Sequence, residues 1–419
     1  MKVFKFGGGI LNSPESIRLI PVILERFPGQ DLLLVISAFG KSTNALEKII
    51  HARKSGLDHH PFSDRLIQDH LAILLQLFPS EHPVFKEFND FSGKLEEALD
   101  SIPSGNDGRD YDRLVSFGEL IASGVVHHFL EASGYPNRWA DAREIIVTDL
   151  AYQDATVDLE YSRKLAGLKL NFPKQGQRGS IIVTQGFIAG GIDGSTTTLG
   201  REGSDYSAAI FANLLDAEEV IIWKDVPGIL NADPMLFPDP VKLDRISYAE
   251  ATELAYYGAK VIHPKTTKPL QNKNIPLWVK SFFHPSETGT LITSSAGQEE
   301  RIPSFILKND QVLVSVSTSD LSFISGKVFL DVFALLNEQG IKVNILQNSA
   351  LTLSFCMDDR GHAPMVLEKL QEKYIVRYNQ GLTLLTVRHH TPEAISRGLQ
   401  GREVLLEQQN RTVAQFVVR

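Results

Sequence analysis

The opening of the chain constrains its fold more than any other stretch. Val3–Phe6 reads as a short apolar strand that runs directly into Gly7-Gly8-Gly9. Ser13-Pro14-Glu15-Ser16 then supplies a capping serine and a proline at the first helical position. Leu32–Ser37 reads as a second buried strand and Asn44–Arg53 as a helix. Strand, glycine turn, helix and strand in that order imply parallel strands with helices packed over the sheet. Ser180–Gln185, Glu219–Trp223 and Ile275–Ser281 read as further strands of the same sheet. In open sheets of this kind, ligands bind where the strands end.

A length of 419 residues suggests two or three domains, at roughly 100–200 residues each. Residues 56–104 are mostly helical in pattern, and Leu114–Glu131 reads as another helix. Ser294–Arg301 is small and polar, as a linker would be. Beyond it the order is Val312–Val316 (strand), Gly326–Gln339 (helix), Lys342–Leu346 and Leu351–Met357 (strands), Ala363–Lys373 (helix) and Ile375–Tyr378 (strand). That is the βαββαβ order of a ferredoxin-like sandwich. Leu382–Val387 and Val413–Val418 are strands of a second, shorter unit, with little room after Thr391-Pro392 for a helix and paired strands. We therefore expect domains at 1–296, 303–380 and 381–419.

A net charge of −8 argues against a nucleic-acid binder that works through a basic face. The lone cysteine, Cys356, rules out a disulfide framework within the chain and fits a reducing compartment. The N-terminus lacks the apolar core of a signal peptide, and no run reaches the length of a membrane span. The expectation is a cytoplasmic protein with no membrane or nucleic-acid partner.

Five motifs carry possible chemistry. At Lys5-Phe6-Gly7-Gly8-Gly9, close backbone approach and exposed N–H groups favour an anion, and Lys5 offers a cation. It is not a Walker A sequence, and alone it is equally an ordinary tight turn. In Gly200-Arg201-Glu202-Gly203-Ser204-Asp205, Arg201 can grip a carboxylate, and Ser204 and Asp205 look like a helix cap. Lys224-Asp225 ends a buried strand before a Pro-Gly turn, an edge on which a nucleotide could lie, although two plain turns explain it as well. Lys260 follows a helix ending at Gly258 and could reach phosphates or simply be solvated, while His263 before Pro264 reads as structural. Glu119 sits on an apolar helical face, where a carboxylate wants a cation from the protein or from a ligand.

Together and in this order, these blocks resemble the aspartate kinases of the amino-acid kinase superfamily. Arg113–Glu119, Asp141-Ala142-Arg143, Val183–Phe187, Thr198–Ala209, Ile246–Ala251, Gly258–Thr266 and Gly289–Ile292 extend the match over nearly the whole chain. The resemblance implies an α/β amino-acid kinase domain over 1–296, with a mainly parallel central sheet covered by helices. A ferredoxin-like ACT region would follow over 303–380, and a shortened ACT-like unit over 381–419. It implies transfer of the ATP γ-phosphate to the side-chain carboxylate of L-aspartate, the entry to lysine, threonine and methionine synthesis.

The same resemblance assigns residues. Lys5, Asp205 and Lys260 would be catalytic. Lys5, Gly7, Gly8, Gly9, Lys224, Asp225, Leu230, Met235 and Lys260 would contact ATP. Ser37, Thr43, Glu119, Phe187, Arg201 and Ser204 would contact aspartate. Mg²⁺ would arrive on ATP with no side-chain ligand. Lysine or threonine would be an effector at the ACT region, and the protein would be a homo-oligomer, a dimer. Gly9-Ile10-Leu11, Glu202, Leu230 and Met235 depart from the usual residues of the nucleotide side, as Leu346–Ala350 does at the effector side. Two rivals remain. A kinase of another carboxylate or carbamate substrate should lack the Glu119 block. A catalytically dead amino-acid sensor should have lost Lys5, Asp205 or Lys260.

Overall fold

The structure, a computed structural model, describes residues 1–172, 179–259, 262–294, 301–320, 322–359, 361 and 363–419. The chain divides into two compact units. One holds residues 1–229, 244–252 and 262–299, and the other 230–243, 253–261 and 300–419.

The first unit begins as its sequence implies, with β1 (Lys2–Phe6), α1 (Pro14–Leu24) and β2 (Leu32–Ile36). Ser13 caps α1 reciprocally with Ser16, and Pro14 opens the helix. Four helices follow: α2 (Ser42–Lys54), α3 (His60–Leu77), α4 (Val84–Asp100) and the long α5 (Asp107–Ala132). Next come β3 (Asn137–Trp139), β4 (Val147–Thr148), α6 (Leu159–Lys169), β5 (Ile181–Gln185), β6 (Ile188–Gly191) and β7 (Thr196–Thr198). The unit is completed by α7 (Gly203–Leu214), β8 (Glu219–Lys224), β9 (Arg245–Ser247), the start of α8 (Tyr248–Tyr257), α9 (Pro264–Gln271), β10 (Leu277–Ser281) and β11 (Thr290–Thr293).

Eight strands form one sheet in the order β3-β5-β2-β1-β8-β10-β11-β9. All neighbouring pairs are parallel except β10 with β11. β1 lies between β2 and β8, so the chain order reverses there. A parallel sheet opens a crevice at such a point, beyond the strand ends. Strand alternation then decides the two faces of β1. Phe4 and Phe6 go into an aromatic core, with Phe6 stacked on Trp223 at 6.4 Å and edge-on to Phe282 at 5.9 Å. Lys5 is left on the other face.

The second unit holds β12 (Ser304–Ser317), α10 (Gly326–Glu338), β13 (Val343–Asn348), β14 (Thr352–Asp358), α11 (Ala363–Gln371) and β15 (Ile375–Arg388). These are the expected βαββαβ elements. They continue into α12 (Pro392–Leu399), β16 (Val404–Gln409) and β17 (Val413–Val418), so Thr391-Pro392 does leave room for a capped helix and a hairpin. The six strands form one antiparallel sheet, β13-β14-β12-β15-β17-β16. Val312, Val314, Val316, Leu353, Phe355 and Met357 of its strands pack on Val328, Val332 and Leu336 of α10 and on Val366, Leu367 and Leu370 of α11. The boundary drawn at 380/381 falls inside β15, and the linker at 294–301 lies largely outside the described residues.

Candidate active site

The C-terminal ends of β1, β2, β5 and β8 open on a cleft of about 970 Å³ in the first unit. It is lined by Lys5, Gly8, Gly9, Asp205 and Lys224, and also by Ser37, Thr43, Glu119, Phe187, Arg201 and Ser204. Eleven of the residues named from the sequence therefore meet in one place.

Lys5 and Lys224 come from adjacent strands and converge on one buried carboxylate. Lys5 Nζ is 2.6 Å from Asp205 Oδ1, and Lys224 Nζ is 3.7 Å from Oδ2. Burial alone would raise the Asp205 carboxyl, but the two lysines outweigh it and hold the group below the usual range. Asp205 is thus an anion that fixes two cations at the mouth of the glycine turn. Ser204 and Asp205 do not cap α7 as the sequence suggested. The capping position is Glu202, whose backbone is left-handed (φ 55°) and whose side chain caps nothing. With its side chain turned to the lysines, Asp205 is unavailable as a cap.

The glycine turn is held shut against the next loop. Gly40 N donates to Gly8 O at 3.0 Å and to Leu11 O at 3.2 Å. A Cβ on Gly8 would lie 2.4 Å from Ala38 O, so this approach needs glycine. Gly7 stands behind Lys5, 3.1 Å from its Nζ by the same construction, and is not among the lining residues.

Also lining the cleft, Glu119 projects from the buried middle of α5. Its Oε1 accepts from Ala38 N at 3.4 Å, and its Oε2 has no partner. Burial pushes the carboxyl up to about 8, against weaker opposition from its backbone hydrogen bonds and from Lys5. An uncompensated buried carboxylate that lines a cavity is a receptor for a cation. Arg201, exposed in the loop ahead of α7, brings the opposite charge. Phe187 lines the cleft with a left-handed backbone (φ 67°), fixed by its N–H donating to Ser207 Oγ at 2.8 Å.

Several contributors were not read from the sequence. Tyr111 and Glu47 line the cleft, with Tyr111 Oη donating to Glu47 Oε1 at 2.7 Å. Asp112, buried on α5, accepts from Gln153 N at 3.1 Å, from Thr198 N at 2.8 Å and from Thr198 Oγ1 at 2.7 Å. It thereby ties the loop before Gly200 to the helix that carries Glu119. Helix periodicity could have found Tyr111, which lies two i,i+4 steps before Glu119 on the same face. Of the remaining candidates, Asp225 is exposed beyond β8 and is not among the lining residues. Leu230 and Met235 belong to the second unit, Met235 being 88% exposed. Lys260 lies outside the described residues. His263 caps α9, accepting from Lys265 N at 3.2 Å, which is a structural use.

Residues 1–281 match the amino acid kinase family. The chain belongs to that family. Among curated relatives it is 35% identical to the lysine-sensitive aspartokinase 3 of Escherichia coli (strain K12) over 251 residues, covering 60% of this chain and 55% of the relative. It is 29% identical to the chloroplastic bifunctional aspartokinase/homoserine dehydrogenase 2 of Zea mays over 364 residues, covering 84% of this chain and 39% of the relative. The chain thus spans about two fifths to just over half of these relatives. Its fold is similar to that of E. coli aspartokinase III solved with aspartate and ADP. That match has a TM-score of 0.80 and 27% identity, and covers 100% of this chain and 96% of the other. The same enzyme solved with lysine and aspartate matches with a TM-score of 0.82 and 26% identity, over the same shares of the two chains. None of the described helices is long and apolar enough to cross a membrane.

Proposed function

We propose that this chain is an aspartate kinase, transferring the γ-phosphate of ATP to the side-chain carboxylate of L-aspartate. The observation that carries the reading is a single cleft in which the Lys5–Asp205–Lys224 cluster adjoins the Gly8–Gly9 turn and also meets Glu119 and Arg201. The E. coli relative solved with aspartate and ADP supports it.

The nucleophile, a carboxylate with an ordinary pKa of about 3.9, is already ionised at neutral pH, so no strong base is required. The obstacle is charge, because an anion must approach a polyanion. Lys5, Lys224 and the backbone N–H groups of the glycine turn and of α7 offset that charge where it develops. Asp205 keeps both lysines aimed. Glu119 and Arg201 take the ammonium and α-carboxylate of the amino acid, leaving its side-chain carboxylate for transfer. Mg²⁺ neutralises phosphate charge when bound with ATP. Asp205 faces a lysine with each oxygen, which fits an ion held by the phosphates rather than by the protein. Lys260 belongs to the same proposal as a further phosphate contact. We assign the catalytic domain to 1–296 and the ACT regions to 303–419, the two units meeting within the shared strand β15, with lysine or threonine as effector and a dimer as the assembly.

The test is ADP release from Mg-ATP with L-aspartate, run beside L-glutamate and no substrate, with hydroxylamine to trap the acyl phosphate. Turnover that depends on aspartate and is lost in Lys5→Ala is the expected result. Absence of acyl hydroxamate with aspartate, in protein that still binds ATP, refutes the reading.

A further inference from the structure

Outside the cleft, the first unit contains one group of residues with metal-binding chemistry that nothing above uses. Asp58, His59 and His60 stand at the entry to α3, and each offers a ligand atom within 4.8 Å of the other two. They are the only such trio among the described residues. His59 is buried, 4% exposed, and its Nε2 has no hydrogen-bond partner. A buried ring nitrogen without a partner is costly unless something fills the gap. Across that gap, 3.8 Å away, lies Oε2 of Glu96 from α4. The rings of His59 and His60 are stacked, centroids 4.4 Å apart.

We propose that Asp58, His59, His60 and Glu96 form a binding site for a first-row transition ion, with zinc the best fit. Two imidazoles and two carboxylates make an N₂O₂ set, which suits zinc, cobalt or nickel better than magnesium or calcium. Ligand atoms around a tetrahedral ion with bonds of about 2.0–2.1 Å sit roughly 3.3–3.5 Å apart. The trio's ligand atoms, within 4.8 Å of one another, and Glu96, 3.8 Å from His59, stand at or beyond that spacing and draw inward on an ion. The positive end of α3 opposes a cation here, and the two carboxylates offset it. The ion pins the entry of α3 to α4. None of the four residues lines the cleft, so the site is structural, with no part in phosphoryl transfer.

The experiment uses the full chain stripped with a chelator. Co²⁺ is titrated while its visible d–d absorption is followed, and is then displaced with Zn²⁺; melting is recorded with and without Zn²⁺. The side chains of Asp58, His60 and Glu96 reach solvent, so His60→Ala and Glu96→Gln remove ligands without opening the core. We expect one ion per chain with a tetrahedral spectrum, and at least a tenfold loss of affinity in each variant. Zn²⁺ at a hundredfold excess over Kd should raise Tm by about 3–6 °C in the wild type. In the chelator, both variants should melt as the wild type does. Binding that survives both substitutions places the ion elsewhere. Weak binding with an octahedral spectrum is adventitious capture by surface histidines. Either result overturns the proposal.

Discussion

Glu119 makes the sharpest demand on experiment, because its burial and its charge pull in opposite directions. In the free cleft its carboxyl sits near 8 against an ordinary 4.5, driven by burial. At pH 7 only about one tenth of the free protein then carries the anion that an ammonium group needs. Apparent affinity scales with that fraction, so the Kd for aspartate should tighten about 25-fold between pH 6.5 and pH 8.5. Binding at pH 7 should release close to one proton per aspartate. Stability moves the other way. A carboxyl raised on folding contributes fully below 4.5 and loses that contribution as pH rises through its folded value. The ligand-free protein should therefore weaken by up to about 5 kcal/mol between pH 4.5 and pH 8 from this group alone. Glu119→Gln keeps an acceptor for Ala38 N and removes the titration. It should flatten both profiles, melt higher than wild type at pH 8.5, and bind aspartate at least tenfold more weakly. Calorimetric titrations in two buffers of different ionisation enthalpy, with melts from pH 5 to 8.5, measure all of this. A wild-type Kd that is flat across that range, or a Gln variant with unchanged affinity, would falsify the assignment.

Three further outcomes follow from the geometry. Gly8→Ala forces a Cβ to within 2.4 Å of Ala38 O, and should cost about 1–3 kcal/mol of stability by urea unfolding while raising KM for ATP. Glu202→Gly releases a left-handed backbone, and should stabilise the fold by about 1 kcal/mol in the same assay. Asp112→Ala strips three buried or half-buried donors of their acceptor. It should destabilise by about 2–4 kcal/mol and raise KM for aspartate, through the loop before Gly200, more than it lowers kcat.

How far the sequence revealed the molecule depended on the range of the interaction concerned. The turn at Gly7–Gly9 and the cap at Ser13 are local, and β1, α1 and β2 were legible from a few neighbouring residues. The βαββαβ order was legible from period alone, because each element buries one face. Read from its neighbours alone, Asp205 looks like half of a helix cap, and only the family resemblance marks it as catalytic. At the start of a helix a Ser-Asp pair looks like a cap, and only the sheet order that brings Lys5 and Lys224 beside it shows that its charge is used elsewhere. Asp112 and the Tyr111–Glu47 pair were illegible for the same cause. Their partners lie 41 to 86 residues away or on another helix, and nothing local marks a buried acceptor.

The two fourteen-residue strands β12 and β15 pair along nearly their whole length and form the middle of the second unit's sheet. Neither half of that sheet can then melt or slip by a residue without dragging the other, since a one-residue shift would carry the side chains of one core to the opposite face. A chain cut at residue 380 would keep half a strand and bare the row of β12 backbone groups that β15 covers, an open template for a second molecule. For anyone trimming this protein, the safe place to cut lies beyond β17.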